Sequence, residues 1–336
     1  MNAPARSMLR SRPAGERAGI AIGLINNMGD EALKATERQF GSLVSEAAGG
    51  IDVSLRVFAL KSTRRSARAL DYINARYEPA SAAIDGDLDG LIITGAQPQA
   101  ERLSDEPYWE ELAEVIDWAK LHTTSTILSC LAAHAGVLYL DGVERRPLPE
   151  KCTGVFGFKA ERTHSLVGKQ NRMRLIPHSR YNGLSRSELE QAGYVILTSS
   201  PECGVDSFVK PFGSQFVFLQ GHPEYDANSL AREYRRDMDR YLRGETGREP
   251  VRPSGYFEAK AEAELRAIER TAHGARCRTQ INDLSIIDAL APAEAAWREA
   301  AIAFYRSWLE MLANTDQRRC APLNVVTDEF ASLRSF

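Results

Sequence analysis

The chain has 336 residues, 43% hydrophobic and 26% charged, which is the ordinary composition of a globular protein. Its formal net charge of −3 excludes the strongly basic surface of a general nucleic-acid binder, and no apolar run approaches the roughly 18 residues of a membrane span. We therefore predict neither a nucleic-acid partner nor a membrane partner.

The five cysteines are scattered along the chain, and none belongs to a C-x-x-C pair. Their number is odd and no secretory signal is visible, so neither a disulfide framework nor a metal site is expected, and a reducing cytoplasm is the predicted location. In that compartment a single thiol can serve as a nucleophile.

The first half of the chain alternates apolar runs with amphipathic segments. The apolar runs predict strands at 19–28, 51–60, 88–96 and 124–130. Helical spacing of apolar residues predicts helices at 30–48, 66–77, 105–122 and 131–140. Because this alternation indicates crossover connections, we predict the α/β class, with an open, mostly parallel sheet flanked by helices.

Shorter strands and hairpins are predicted after residue 142, together with helices at 185–193, 226–244 and 258–272. A last helix carries apolar residues at helical spacing and is predicted to pack on the main body: Trp297, Phe304, Trp308 and Leu312. The chain is thus divided into a disordered tail (1–18), an α/β domain with the candidate catalytic residues (19–245), a linker and extra helical segment (246–291), the C-terminal helix (292–314) and a tail (315–336).

Two predicted strand ends carry side chains with catalytic chemistry. Cys130 lies between a buried strand and a helix, so the first N–H groups of that helix would face its thiol. His222 follows another apolar run, and Glu224 lies two residues further on. Ligands bind at the carboxyl ends of parallel strands, where these residues would form a nucleophile–base–acid relay. A buried core cysteine with an unrelated loop histidine is the alternative, and both interpretations remain open on this pattern alone.

Longer motifs resemble the homoserine O-acyltransferase family of methionine biosynthesis, whose fold is of the class I glutamine amidotransferase type, with added β-hairpins here. The motifs are "DGLIITGA" (89–96), "EPYWEEL" (106–112), "STILSC" (125–130), "PHSRYN" (177–182) and "GHPEYDANSLAREYRRD" (221–237). The resemblance implies transfer of succinyl from succinyl-CoA to the hydroxyl of L-homoserine through a thioester, with acyl-CoA as co-substrate and no cofactor.

The same resemblance assigns roles to individual residues. It implies that Cys130 carries the acyl group, that His222 accepts protons and that Glu224 orients the imidazole. It also places substrate binding at three residues in matching motifs, which are Lys151, Ser179 and Arg236. The backbone amides of Leu131 and Ala96 are candidates to stabilise the oxyanion.

Gln99 falls at the position that the family links to the acyl group, where Gly favours succinyl and Glu favours acetyl. Because Gln lacks a carboxylate that would repel succinyl, we predict succinyl-CoA, with an acetyl-CoA-dependent homoserine or serine acyltransferase as the alternative.

A glutaminase is a second alternative, although Leu128 and Ala132 replace the glycines of the usual Gly-x-Cys-x-Gly motif. A non-catalytic binding protein is a third. The apolar stripe of the last helix could also contact a second copy of the chain, so a homodimer is compatible with the sequence.

Overall fold

The structure is a computed structural model that describes residues 19–84, 86–275 and 284–320. The predicted tail 1–18 and residues 321–336 lie outside this range. Within the described part of the chain, no helix is both long enough and apolar enough to span a membrane.

The strands of the main sheet alternate with helices along the chain, as predicted. The strands found among the described residues are β1 (Ile20–Ile25), β2 (Val53–Ala59), β3 (Glu78–Pro79), β4 (Gly90–Ile93), β5 (Ser125–Ser129), β6 (Arg146–Ala160), β7 (Met173–Gly183), β8 (Val195–Ile196), β9 (Thr198–Ser200), β10 (Gly204–Val205), β11 (Ser207–Phe212) and β12 (Ser214–Leu219). The helices are α1 (Leu33–Ala48), α2 (Ala67–Arg76), α3 (Ala80–Ile84), α4 (Trp109–His122), α5 (Leu131–Asp141), α6 (Arg186–Gln191), α7 (Ser229–Leu242), α8 (Ala259–Ala275), α9 (Ile286–Ala289) and α10 (Arg298–Cys320).

The main sheet has the order β3-β2-β1-β4-β5-β12-β11-β8. In this order the first six strands, β3 through β12, are parallel. At one edge, β11 pairs antiparallel with β12, and β8 pairs antiparallel with β11. The predicted α/β class with a mostly parallel sheet is confirmed. Because Leu219 on β12 is in register with Ser129 on β5, the loops that follow these two strands begin side by side.

Successive side chains of the central strands enter two different cores, as the strand repeat of two requires. Ile93, Leu128 and Phe218 pack with α4 and α5 on one face. Ile92 and Ile127 pack with α1 and α10 on the other. The sheet is therefore buried on both faces, which fixes the positions of its strand ends.

A second, antiparallel sheet with the order β10-β9-β6-β7 adjoins the main sheet. It contains the long β6–β7 hairpin, which was expected in the region after residue 142. The Ser185 side chain accepts a hydrogen bond from the Glu188 N–H and caps the start of α6. This sheet supplies Lys151 and Ser179 to the site described below.

The C-terminal part of the chain covers two regions. Phe304, Trp308 and Leu312 of α10 are buried against the main sheet, and this helix continues six residues into the segment predicted as a tail. Trp297 instead packs with α7, α8 and α9 in a separate cluster. The segment around α8 and α9, for which the sequence suggested no role, thus builds a core of its own beside α7.

Candidate active site

Cys130 occupies a strained turn between β5 and α5. Its φ of 53° and ψ of −114° lie in a region that L-residues rarely adopt. Its N–H donates to the carbonyl of Leu219 at the end of β12, at 2.7 Å. Gly136 lets α5 lie close to the sheet, because a Cβ there would be 2.7 Å from the Leu128 side chain. The turn is of the kind that presents a nucleophile at the end of a strand.

His222 follows β12 and lies in the neighbouring loop. Its Nδ1 is 2.8 Å from Glu224 Oε1, and its ring stacks on Tyr225 with the ring centroids 4.2 Å apart. Burial lowers the pKa of His222, but the charges of Cys130 and Glu224 and hydrogen bonds to both raise it well above its usual value. These contacts bring the three residues of the predicted relay together and give the imidazole its two partners.

The turn that carries His222 rests on a buried polar pair. The Gly221 N–H donates to Asp206 Oδ1 at 2.9 Å, and His178 Nε2 lies 3.3 Å from the same oxygen. The His222 N–H donates to the Pro177 carbonyl at 2.8 Å. A side chain at position 221 would collide with His178, so the space at this position requires glycine.

A cavity of about 600 Å³ opens at this edge of the sheet. Cys130 and His222 line it together with five further predicted site residues, namely Ala96, Gln99, Lys151, Ser179 and Arg236. Leu131 begins α5 next to this cavity, and a Cβ on Gly95 would lie 3.0 Å from its amide nitrogen. The loop after β4 and the start of α5 therefore approach each other beside the thiol.

Lys151 and Arg236 both contact Asp237, a residue for which the sequence predicted no role. Lys151 Nζ lies 2.6 Å from Asp237 Oδ2, and Arg236 Nη2 lies 2.9 Å from Oδ1. Burial raises the pKa of Asp237, but the two cations outweigh this effect and lower it. An ionised carboxylate thus holds both candidate substrate-binding cations at one end of the cavity.

Glu233 is a second missed residue, and it joins the remaining polar groups of this end. The Ser179 hydroxyl donates to Glu233 Oε2, and the Tyr225 hydroxyl donates to Oε1 at 2.6 Å. A spacing signal was present, because residues three and four apart on a helix share a face and "EYRRD" places Glu233 beside Arg236 and Asp237. Nothing in the sequence showed that β6 and β7 would bring their partners to this face.

Comparison with known proteins identifies the same family that the sequence motifs resemble. The sequence model of the family described as "Homoserine O-succinyltransferase" matches residues 8–318. A homoserine O-succinyltransferase of Bradyrhizobium japonicum is 44% identical over 313 residues, which are 93% of this chain and 95% of that protein. Its counterpart in Methylorubrum extorquens is 43% identical over 88% of each chain. The chain belongs to the homoserine O-succinyltransferase family.

Members of the family at lower identity align over a similar length. The homoserine O-succinyltransferase of Thiothrix nivea is 38% identical and covers 94% of this chain and 89% of its own. Among solved structures, a glutamine amidotransferase from Thermotoga maritima is 11% identical, with a TM-score of 0.46 over 88% of this chain and 99% of that one. Family membership confirms the resemblance identified in the motifs, whereas the roles of single residues stay predictions.

Proposed function

We propose that the chain is a homoserine O-succinyltransferase of methionine biosynthesis, which moves succinyl from succinyl-CoA to the hydroxyl of L-homoserine through a thioester on Cys130. The observation that carries the proposal is the position of His222 beside Cys130 on the wall of one cavity, with its Nδ1 2.8 Å from Glu224 Oε1, in a member of this family. The substrates of this reaction are soluble in water, so a cytoplasmic location is part of the proposal.

In the first half-reaction His222 takes the thiol proton, and the sulfur of Cys130 attacks the thioester carbonyl of succinyl-CoA. The carbonyl oxygen becomes negative in the tetrahedral intermediate, where the amides of Leu131 and Ala96 are the proposed donors. Leu131 suits this role because the first N–H groups of a helix have no carbonyl partner within it. The intermediate then expels the thiolate of CoA, which leaves with the proton from His222.

Acylation itself prepares His222 for the second half-reaction. The charge of Cys130 is the largest of the interactions that raise the pKa of His222, and a thioester carries no charge. The pKa of His222 therefore falls once the acyl group is attached, and the neutral imidazole can take the proton of the homoserine hydroxyl. The resulting alkoxide attacks the thioester, and Cys130 leaves and regains its proton. One imidazole thus serves both steps, as the ping-pong order requires.

Homoserine is a zwitterion, and one end of the cavity offers both signs of charge. Lys151 and Arg236 are proposed to bind its carboxylate, and Ser179 to orient its polar head. Glu233 and Asp237 are available to its ammonium group. Lys151 and Arg236 contact Asp237, so homoserine would exchange these ion pairs for ion pairs with its own charged groups.

The test is to incubate the pure enzyme with succinyl-CoA or acetyl-CoA and to measure the mass of the Cys130 peptide. We expect the mass of one succinyl group to be added, to be lost on addition of L-homoserine, and to be absent from Cys130→Ala. Addition of acetyl alone would favour the acetyl-CoA alternative. Release of ammonia from glutamine without acyl-CoA would instead support the glutaminase.

A further inference from the structure

Glu106 makes two contacts with the loop of residues 97–100, here called the donor loop. Its Oε1 accepts hydrogen bonds from the N–H of Gln99 at 2.6 Å and from the N–H of Ala100 at 2.9 Å. Glu106 is only 4% exposed. Its Oε2 is also buried and has no hydrogen-bond partner among the residues that the structure describes. A carboxylate is rarely buried in this way unless it is paired or hydrogen-bonded, and here the donors are the N–H groups of this loop.

The donor loop has no regular secondary structure, and three of its residues are exposed. Pro98 within it lacks an N–H, so the loop has few backbone donors with which to fix itself. Residues 97–99 and Glu106 line the same cavity as Cys130. The position of Gln99 in this cavity therefore depends on two N–H groups that end on one carboxylate.

Arg145 lies close enough to Glu106 and Cys130 for their charges to act on it. Burial lowers the pKa of Arg145, and electrostatic interactions with Tyr108, Glu106 and Cys130 raise it. A cation and two N–H groups thus compensate the charge of Glu106. Because this charge is offset, we expect Glu106 to act through its hydrogen bonds to the loop and not by repelling a negatively charged acyl group.

We infer that Glu106 is a positioning residue that fixes the donor loop and thereby sets the preference of the enzyme for succinyl over acetyl donors. The inference rests on the proposed function, because it concerns the acyl group that Cys130 receives. Glu106 acts through the backbone of Gln99 and Ala100, and its effect is confined to the donor half-reaction.

The experiment compares Glu106→Ala, Glu106→Gln and the control Glu110→Ala, an exposed glutamate of α4. We measure kcat/KM for succinyl-CoA and for acetyl-CoA, the KM of L-homoserine and amide hydrogen exchange of the donor loop. Glu106→Ala is expected to lower the succinyl-to-acetyl ratio about tenfold, to speed exchange at 97–100 and to leave the KM of homoserine unchanged. Glu106→Gln retains an oxygen acceptor and is expected to behave like the wild type.

An unchanged ratio in a folded Glu106→Ala variant would overturn the inference, and so would a ratio that changes equally in Glu106→Gln, since charge alone would then be responsible. If Glu106→Ala does not fold, Ala100→Pro removes one of the two N–H donors and must lower the ratio in the same direction. If the wild type transfers no acyl group, the proposed function fails, while loop exchange that is equal in wild type and variant would reject the positioning role separately.

Discussion

Glu224 Oε1 lies 2.8 Å from His222 Nδ1, and both side chains are at least nine-tenths buried. In this setting the carboxylate fixes the tautomer of the imidazole, because the nitrogen beside it must carry the proton. The other nitrogen is thereby directed to Cys130. The relay depends on this pair as much as on the thiol itself.

Replacement of Glu224 by Gln is therefore expected to lower kcat/KM by roughly 10²–10⁴-fold. The pKa of His222 should also fall, since the charge and the hydrogen bond of Glu224 both raise it. NMR titration of the imidazole measures this shift. The control is Glu202→Gln, an exposed carboxylate before β10. A pKa of His222 that is unchanged in Glu224→Gln would contradict the arrangement.

The positive φ of Cys130 predicts an unusual order of stability among inactive variants. Glycine adopts this backbone conformation without strain, so Cys130→Gly should be about 1–2 kcal/mol more stable than Cys130→Ala in urea unfolding. Neither variant should form a thioester, and Cys130→Ser should lose turnover while it remains folded. If Cys130→Ala were the more stable variant, the turn would not be strained.

A methyl group at Gly221 is expected to disturb both the fold and the base. The added Cβ would lie 2.6 Å from Ile176 Cγ2 and 2.7 Å from His178 Nε2. We expect Gly221→Ala to lower the free energy of unfolding by about 1–3 kcal/mol and to reduce kcat. Gly50→Ala is the matched control, because nothing lies within 4 Å of a Cβ at that position. Equal effects of the two substitutions would argue against tight packing beneath His222.

Lys151→Ala separates the two half-reactions. Because Lys151 is proposed to bind homoserine, acylation of Cys130 by succinyl-CoA should proceed at the wild-type rate, while kcat/KM for homoserine falls roughly 10²-fold. Rapid-quench measurement of the thioester distinguishes these steps. Lys159 on the same strand is exposed, and Lys159→Ala should leave both steps unchanged. Slow acylation in Lys151→Ala would place this cation on the donor side instead.

We predict that the burial of His134 makes the protein less stable in acid. Burial lowers its pKa from 6.5 to about 4, and its Nε2 contacts Gln220 Oε1 at 2.9 Å. The unfolded chain therefore takes up a proton at a higher pH than the folded protein does. The contribution of His134 to the free energy of unfolding is complete above pH 6.5 and is lost as the pH falls towards 4. The effect is about 3 kcal/mol. His134→Gln should flatten the dependence of Tm on pH, whereas exposed His122→Gln should not.

The main sheet and its strand-end residues could be predicted because they depend on local patterns. Apolar runs identified β1, β4, β5 and β12, and the rule that ligands bind at carboxyl strand ends placed Cys130 and His222 at one edge. Short elements were missed, since β3 has two residues and α3 has five, too few for a periodic pattern.

The network around Glu233 and Asp237 could not be predicted for a different reason. Each carboxylate is partnered by side chains from β6 or β7, more than fifty residues away in the chain. Glu106 was missed in a similar way, because an acidic residue before a helix is ordinarily an exposed group that complements the helix dipole. Its burial follows from the packing of the loop after β4, which no local pattern encodes.

The cavity takes its walls from two parts of the fold. The loop after β4 and the start of α4 belong to the parallel sheet, whereas Lys151, Ser179 and Arg236 come from the antiparallel sheet and α7. Under the proposed function, Cys130, His222 and Glu224 serve both substrates, whereas the two walls contact different ones. Preference for the donor and preference for the acceptor would consequently be modular traits, and directed evolution could redesign either one while the other is left as it is.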